Sequence, residues 1–184
     1  MGDETTALLA DVRVPTAARM RSAGEQLAGL LRAGDLVVLS GPLGAGKTTL
    51  VQGIGNGLGV RGPVTSPTFV IARVHPSELG AGPALVHADA YRLGSRAEVD
   101  DLDLDADLDS SVTVVEWGEG LVEDLAPSYL EITIAMAPVA PASGASDEPR
   151  TVRLAGRGPR WEAAAGPASR ALTGGPGAAW WAAP

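Results

Sequence analysis

Three groups of residues in this 184-residue chain carry side chains that could act on a phosphate. Lys47 and Thr48 close the run GPLGAGKTT, from Gly41 to Thr49, and match the spacing G-x-x-x-x-G-K-[ST]. The other two groups are single carboxylates, Asp89 after ALVHA and Glu116 after VTVV. A phosphate chain needs several backbone N–H groups aimed at one point, and a glycine-rich loop can fold back tightly enough to supply them. Leu43, Gly44, Ala45 and Gly46 form that loop, and Lys47, Thr48 and Thr49 open the helix after it, whose N-terminus adds positive potential. Lys47 then reaches β- and γ-phosphates, and the Thr48 hydroxyl is a ligand for Mg²⁺.

Those residues need elements to position them. The apolar residues Met20, Ala23, Leu27, Leu30 and Leu31 recur at three and four, so the pattern predicts a helix from Pro15 to Gly34, with Thr16 as N-cap and Gly34 as its stop. Asp35–Ser40 is apolar without alternation, as expected for a strand covered on both faces. A helix is predicted from Lys47 to Gly57, then a Pro-containing loop and strand over Val64–Val74, and short strands at Ala84–Ala88 and Val112–Val115. Tyr129–Met136 alternates and can pair with Thr151–Ala155 as a hairpin across the Pro/Ala/Ser-rich stretch Ala137–Pro149. The expected fold is α/β, a P-loop NTPase-like three-layer arrangement with a mostly parallel central sheet and a C-terminal antiparallel hairpin. Ligands of open α/β sheets sit beyond the carboxyl ends of the strands. Ser40, Asp89 and Glu116 all stand at such ends, so three strand ends converge on one site.

Composition bounds the rest. Aromatic residues are only 4% of the chain, so the core must be built from Val, Leu, Ile and Ala. There is no cysteine, which removes disulfides and thiolate metal sites. The acidic N-terminus leads into no apolar h-region, and no apolar stretch reaches a membrane span, so a cytoplasmic protein with no membrane role is expected. A net charge of -8 without a basic stripe argues against a chain that grips nucleic acid by itself. Residues 1–155 are expected to form one P-loop domain. Residues 156–184, rich in Gly, Pro and Ala, are expected to be a disordered tail with some helix around Trp161–Ala165; Trp161, Trp180 and Trp181 either drift with composition or dock a partner.

Taken together, GPLGAGKTT, TSPTF (Thr65–Phe69), HADAYR (His87–Arg92) and VEWGE (Val115–Glu119) resemble the bacterial tRNA threonylcarbamoyladenosine biosynthesis ATPases, the TsaE family, from about Val14 to Ala155. The resemblance implies binding of ATP and Mg²⁺, weak ATP hydrolysis, and work inside a complex with TsaB- and TsaD-type partners that modifies the adenosine beside the anticodon of some tRNAs. The tRNA would be reached only through that complex. By the same resemblance Thr48 and Glu116 hold Mg²⁺, and Asp89 acts beside the γ-phosphate. Thr65, Ser66 and Thr68 form a nucleotide-sensitive loop. Arg150 lies near the base, as does the backbone around Thr16 and Ala17. Where the family often has Asp after the first loop glycine this chain has Pro42, which is expected to stiffen the loop rather than abolish binding.

Other signals carry less. Gly57–Gly62 fits G-x-G-x-x-G but follows a helix and cannot open one, so it is no dinucleotide site. Asp101, Asp103 and Asp105 begin like a calcium loop, but Ala106 and Val112 stand where Gly and Glu are needed. The acidic run Glu98–Asp109 reads as a solvated face, and His87 as a packed strand residue. A small-molecule kinase would need a lid with phosphate-binding arginines, for which only Arg73, Arg92 and Arg96 are available between Thr65 and Glu116. A GTPase-like switch would carry N-K-x-D for guanine, and no such sequence occurs.

Overall fold

The computed structural model describes residues 6–67, 71–78, 80, 82–93, 95–104, 106–136 and 149–164. In chain order its elements are β1 (Thr6–Val14), α1 (Ala17–Ala28), β2 (Leu36–Ser40), α2 (Lys47–Leu58), β3 (Ala72–His75), β4 (Ala84–Asp89), α3 (Arg96–Asp100), β5 (Ser111–Glu116), β6 (Tyr129–Met136) and β7 (Arg150–Arg157). Thr68, most of the Pro/Ala/Ser-rich stretch, Trp180 and Trp181 lie outside the described residues.

All five residues of β2 are buried, which is why its sequence does not alternate. Val37 and Leu39 enter a core shared with Met20, Ala23 and Leu27 of α1 and Leu50, Val51 and Ile54 of α2. Leu36 and Val38 enter a second core on the opposite face, with Val99, Leu104 and Leu108. The acidic run expected as a solvated face thus also supplies apolar residues to that second layer, between its carboxylates.

The seven strands form one sheet in the order β1-β7-β6-β2-β5-β4-β3. The expectation of a mostly parallel sheet needs correction. The contacts β6–β2, β2–β5 and β5–β4 are parallel, and β1–β7, β7–β6 and β4–β3 are antiparallel. The sheet is mixed, with a parallel centre. The predicted β6–β7 hairpin is present, but β1 adds a further antiparallel edge that sequence patterning did not reveal. A register shift between Leu8 and Ala10 breaks its alternation, so the two-residue signal fails midway.

The first helix ends sooner than predicted. Thr16 does cap it, accepting a hydrogen bond from the Arg19 N–H, but the cap at the other end is Gly29, not Gly34. Gly34 instead turns the chain into β2, its N–H shared between the carbonyls of Leu108 and Ser111. α1 and α2 approach backbone to backbone: a side chain at Gly24 would strike the Leu50 carbonyl, and one at Gly53 the Arg21 carbonyl. That close crossing sets the start of α1 beside the glycine loop.

The boundary expected after Ala155 falls inside β7, which runs on to Arg157. Beyond it, residues 159–164 are helical, and Trp161 is fully buried in the core with α1 and α2. Arg160 donates to both carboxylate oxygens of Asp35, each at 3.1 Å, and to the Leu30 carbonyl at 2.8 Å. The segment is therefore packed as far as it is described, because an indole buries enough apolar surface to offset the ordering of a short stretch.

Candidate active site

The three strand ends meet. Asp89 pairs with Glu116 across β4 and β5, and Leu39 pairs with Glu116 across β2 and β5. The glycine loop leaves β2 at this same edge and delivers Lys47 and Thr48 at the first turn of α2. Gly41 has φ +141°, and a side chain there would collide with the Ile134 carbonyl, so the loop can leave the sheet only through glycine. Gly46, at φ +104°, sits directly before α2 in another conformation that L side chains rarely adopt.

Lys47 is only 6% exposed. Its Nζ donates to the carbonyls of Gly41 at 2.9 Å and Pro42 at 3.1 Å, and lies 3.9 Å from the ring centroid of Trp117. Burial pulls its pKa below the usual lysine value, while the nearby carboxylates of Glu116 and Asp89 oppose that shift. Lys47 Nζ is thus held by backbone dipoles and a ring face, with no direct carboxylate contact among the described residues.

Thr48 Oγ1 donates to Glu116 Oε1 at 2.9 Å. The same carboxylate oxygen lies 2.9 Å from His87 Nε2, and both Glu116 and His87 are buried. Asp89 Oδ1 accepts from the Tyr91 N–H at 3.0 Å. Tyr91 packs its ring on Trp117 with centroids 5.1 Å apart, and Trp117 itself takes a left-handed backbone at φ +60°. A non-glycine residue in that region carries strain of about 1–3 kcal/mol, which its neighbours must hold in place.

An open cleft of about 1010 Å³ joins Leu43, Gly44, Gly46, Lys47, Thr48 and Thr49 to Ser66, Asp89, Arg92, Glu116 and the Tyr91–Trp117 pair. A second recess of about 460 Å³ adjoins it through Gly44, Gly46 and Thr49, and is lined by Thr16, Ala17, Met20, Ala45 and Arg150. The loop residues Leu43 to Thr49, together with Asp89, Glu116 and Arg150, therefore each border one of two neighbouring cavities. Of the expected nucleotide-sensitive loop, Ser66 lines the cleft and Thr65 accepts a hydrogen bond from Arg73.

From the sequence His87 reads as packing alone, and nothing there singles out Tyr91 or Trp117. His87 is indeed a buried strand residue, but it also touches the site acid. A signal existed: His87 and Asp89 are two residues apart on one strand and so share a face.

The donor chemistry suits a hard cation. One hydroxyl and the carboxylates of Asp89 and Glu116 are oxygen donors, and Mg²⁺ takes one or two carboxylates while filling its remaining positions from water and phosphate. Among the described residues no group of three or more His, Cys, Asp or Glu could hold a metal by itself, so any Mg²⁺ here would depend on such outside ligands. Among the same residues no helix is long and apolar enough to cross a membrane.

The family model for the threonylcarbamoyl adenosine biosynthesis protein TsaE matches residues 14–140. A tRNA threonylcarbamoyladenosine biosynthesis protein TsaE from Streptomyces coelicolor is 62% identical over 146 residues, covering 79% of this chain and 95% of that protein. The protein of the same name from Bacillus subtilis is 36% identical over 136 residues, 73% of this chain and 78% of its own. Among solved structures, that of Bacillus subtilis YdiB is similar with a TM-score of 0.69 at 26% identity, covering 92% of this chain and 98% of that one.

Proposed function

The chain belongs to the TsaE family, and from that premise we propose that it is a Mg²⁺-dependent, P-loop-type ATPase subunit required for threonylcarbamoyladenosine formation in tRNA. It acts in the cytoplasm, within a complex of TsaB- and TsaD-type partners, and drives the cycle of the transferase rather than performing the transfer. Its hydrolysis is weak alone. The tRNA is engaged through the complex.

The observation that carries this reading is the hydrogen bond between Thr48 and Glu116 at the mouth of the glycine loop, with Asp89 paired directly beside Glu116. A phosphate cradle, a hydroxyl and two carboxylates on one side of a cleft are the parts that phosphoryl chemistry requires. Backbone N–H groups from Leu43 to Gly46 bind the phosphates, and Lys47 leaves the Gly41 and Pro42 carbonyls to meet the β- and γ-oxygens. Thr48 and Glu116 would hold Mg²⁺, directly or through water, and the ion would neutralise charge that develops on the phosphates. Asp89 lines the cleft beside Glu116, where it orients the attacking water. Thr16, Ala17 and Arg150 line the recess on the far side of Gly44 and Gly46, which suits the base.

A nucleotide panel tests the assignment. Phosphate release is measured from ATP, GTP and CTP, with Mg²⁺ or EDTA, alone and with the two partners but no other acceptor. The proposal expects Mg²⁺-dependent turnover of ATP, stimulated by the partners. No phosphate release from any nucleotide in the absence of an acceptor would favour a kinase, and a preference for GTP would favour a switch.

A further inference from the structure

The buried pair of His87 and Glu116 is left over once the nucleotide chemistry is assigned. His87 lies on β4 and is 0% exposed, and Glu116 at the end of β5 is 3% exposed. His87 pairs with Val114 and Asp89 with Glu116, so His87 is the diagonal neighbour of Glu116 on the same face of the sheet. Glu116 Oε1 accepts from Thr48 Oγ1 and lies 2.9 Å from His87 Nε2. A carboxylate oxygen can only accept, so in the neutral ring Nε2 carries the proton and Nδ1 is the bare nitrogen. Nδ1 has no hydrogen-bond partner among the described residues.

A bare polar atom in a core is unfavourable. Leu85 on the same face of β4, and Val112 and Val114 on the facing strand, show what packing alone selects at this depth. An imidazole here is explained by its one polar contact. We propose that His87 is a positioning residue, which fixes the rotamer of the Glu116 carboxylate and thereby sets the affinity of the cleft for its divalent cation. With His87 present, two donors on different elements hold one oxygen of Glu116. Without it, Thr48 is the only such donor among the described residues, and Thr48 is itself needed at the cation. Groups that orient a metal ligand from behind in this way typically change metal affinity by about 10–100-fold. The inference rests on reading the cleft as a Mg²⁺–nucleotide site.

The test uses Mn²⁺ as the probe and the full chain saturated with ADP, with free Mn²⁺ followed by electron paramagnetic resonance. ADP affinity in EDTA is measured in parallel by calorimetry. His87→Leu fills similar space without a donor. It is expected to weaken Mn²⁺ by about 10–100-fold and to leave metal-free ADP affinity unchanged. His87→Gln, whose amide nitrogen can stand where Nε2 stands, is expected to recover most of the Mn²⁺ affinity. Wild-type Mn²⁺ affinity in His87→Leu overturns the proposal, and so do equal losses of Mn²⁺ and of metal-free ADP, which would mean general disorder. If His87→Leu does not fold, His87→Asn takes its place, since its shorter side chain ends before Glu116; equal Mn²⁺ affinity in the Gln and Asn variants then overturns the proposal. A wild-type chain that binds ADP but no Mn²⁺ removes the cation site itself, and the inference with it.

Discussion

Thr48, at the start of α2, and Glu116, at the end of β5, are joined by a 2.9 Å hydrogen bond across 68 positions of sequence. The bond ties the helix that begins at the glycine loop to the strand that carries the site acid. Asp89 stands beside Glu116 in register but bonds to the Tyr91 N–H instead. The two acids are therefore held differently, and their substitution should have different consequences.

Glu116→Gln keeps the shape of the side chain and removes a charge from the Thr48 contact. The expected result is a higher Mg²⁺ concentration for half-maximal ATP turnover. Asp89→Asn should lower turnover while leaving ATP affinity near wild type, since an interaction made near the reacting phosphate acts mainly in the transition state. Mg²⁺ titrations of phosphate release, with ATP binding measured separately, check both. Small and equal effects of the two changes would refute this division of roles.

Lys47→Ala removes the cation held between the loop carbonyls and Trp117. Losing one preorganised electrostatic contact costs about 2.7–4 kcal/mol in the transition state. Partner-stimulated ATP turnover should fall by about 10²–10³-fold, with the far-ultraviolet circular dichroism unchanged. Near-normal turnover by the folded variant is incompatible with a phosphate role for Lys47.

His75 predicts a pH dependence of stability. It is 4% exposed, and burial, then His87, then Arg73 lower its pKa below the ordinary histidine value of 6.5. The unfolded chain therefore binds a proton at a pH where the folded chain does not. Stability should fall as pH drops through 6.5 and level off below the folded pKa. Urea midpoints across this range, for the wild type and for His75→Gln, measure the contribution. An identical acid slope in both proteins means His75 contributes nothing to it.

Trp161 predicts where the chain can be shortened. Ending it after Arg157 removes a fully buried indole and the Arg160–Asp35 pair, whereas ending it after Ala164 removes neither. Trp161→Ala should lower unfolding stability by about 3–5 kcal/mol, the usual loss for a large aromatic in a core. Equilibrium denaturation of the two truncations and the substitution decides the matter. Equal stability of both truncations would show that Trp161 is not holding the fold.

The net charge of -8 predicts that the chain alone has little affinity for tRNA. Filter binding at low and physiological salt, with and without the two partners, should detect a complex only when they are present. Tight, salt-sensitive binding by the isolated chain contradicts this.

Much of the site was legible because its chemistry follows local order. Strand, glycine loop and helix are consecutive, so Gly41–Thr49 announces itself. Asp89 and Glu116 follow apolar runs short enough to be strands, and the general rule for strand ends brings them together. Thr16, Ala17 and Arg150 were placed near one another only through the family resemblance, since nothing local links the start of α1 to the start of β7. What escaped was non-local or irregular. β1 is interrupted by its register shift. Trp161 sits in a stretch whose Gly, Pro and Ala content masked one buried indole. The contact of His87 with Glu116 depends on the register of β4 against β5, which no single segment encodes.

The central claim is that ATP turnover in the Lys47–Thr48–Glu116 cleft drives tRNA modification. The direct measurement is threonylcarbamoyladenosine formed on unmodified tRNA by the reconstituted complex, over many turnovers, with wild-type chain or with Lys47→Ala. The account predicts sustained formation with the wild type in Mg²⁺ and ATP, and arrest after at most one round with Lys47→Ala, although the complex still assembles. Multiple rounds at the wild-type rate with Lys47→Ala would contradict it.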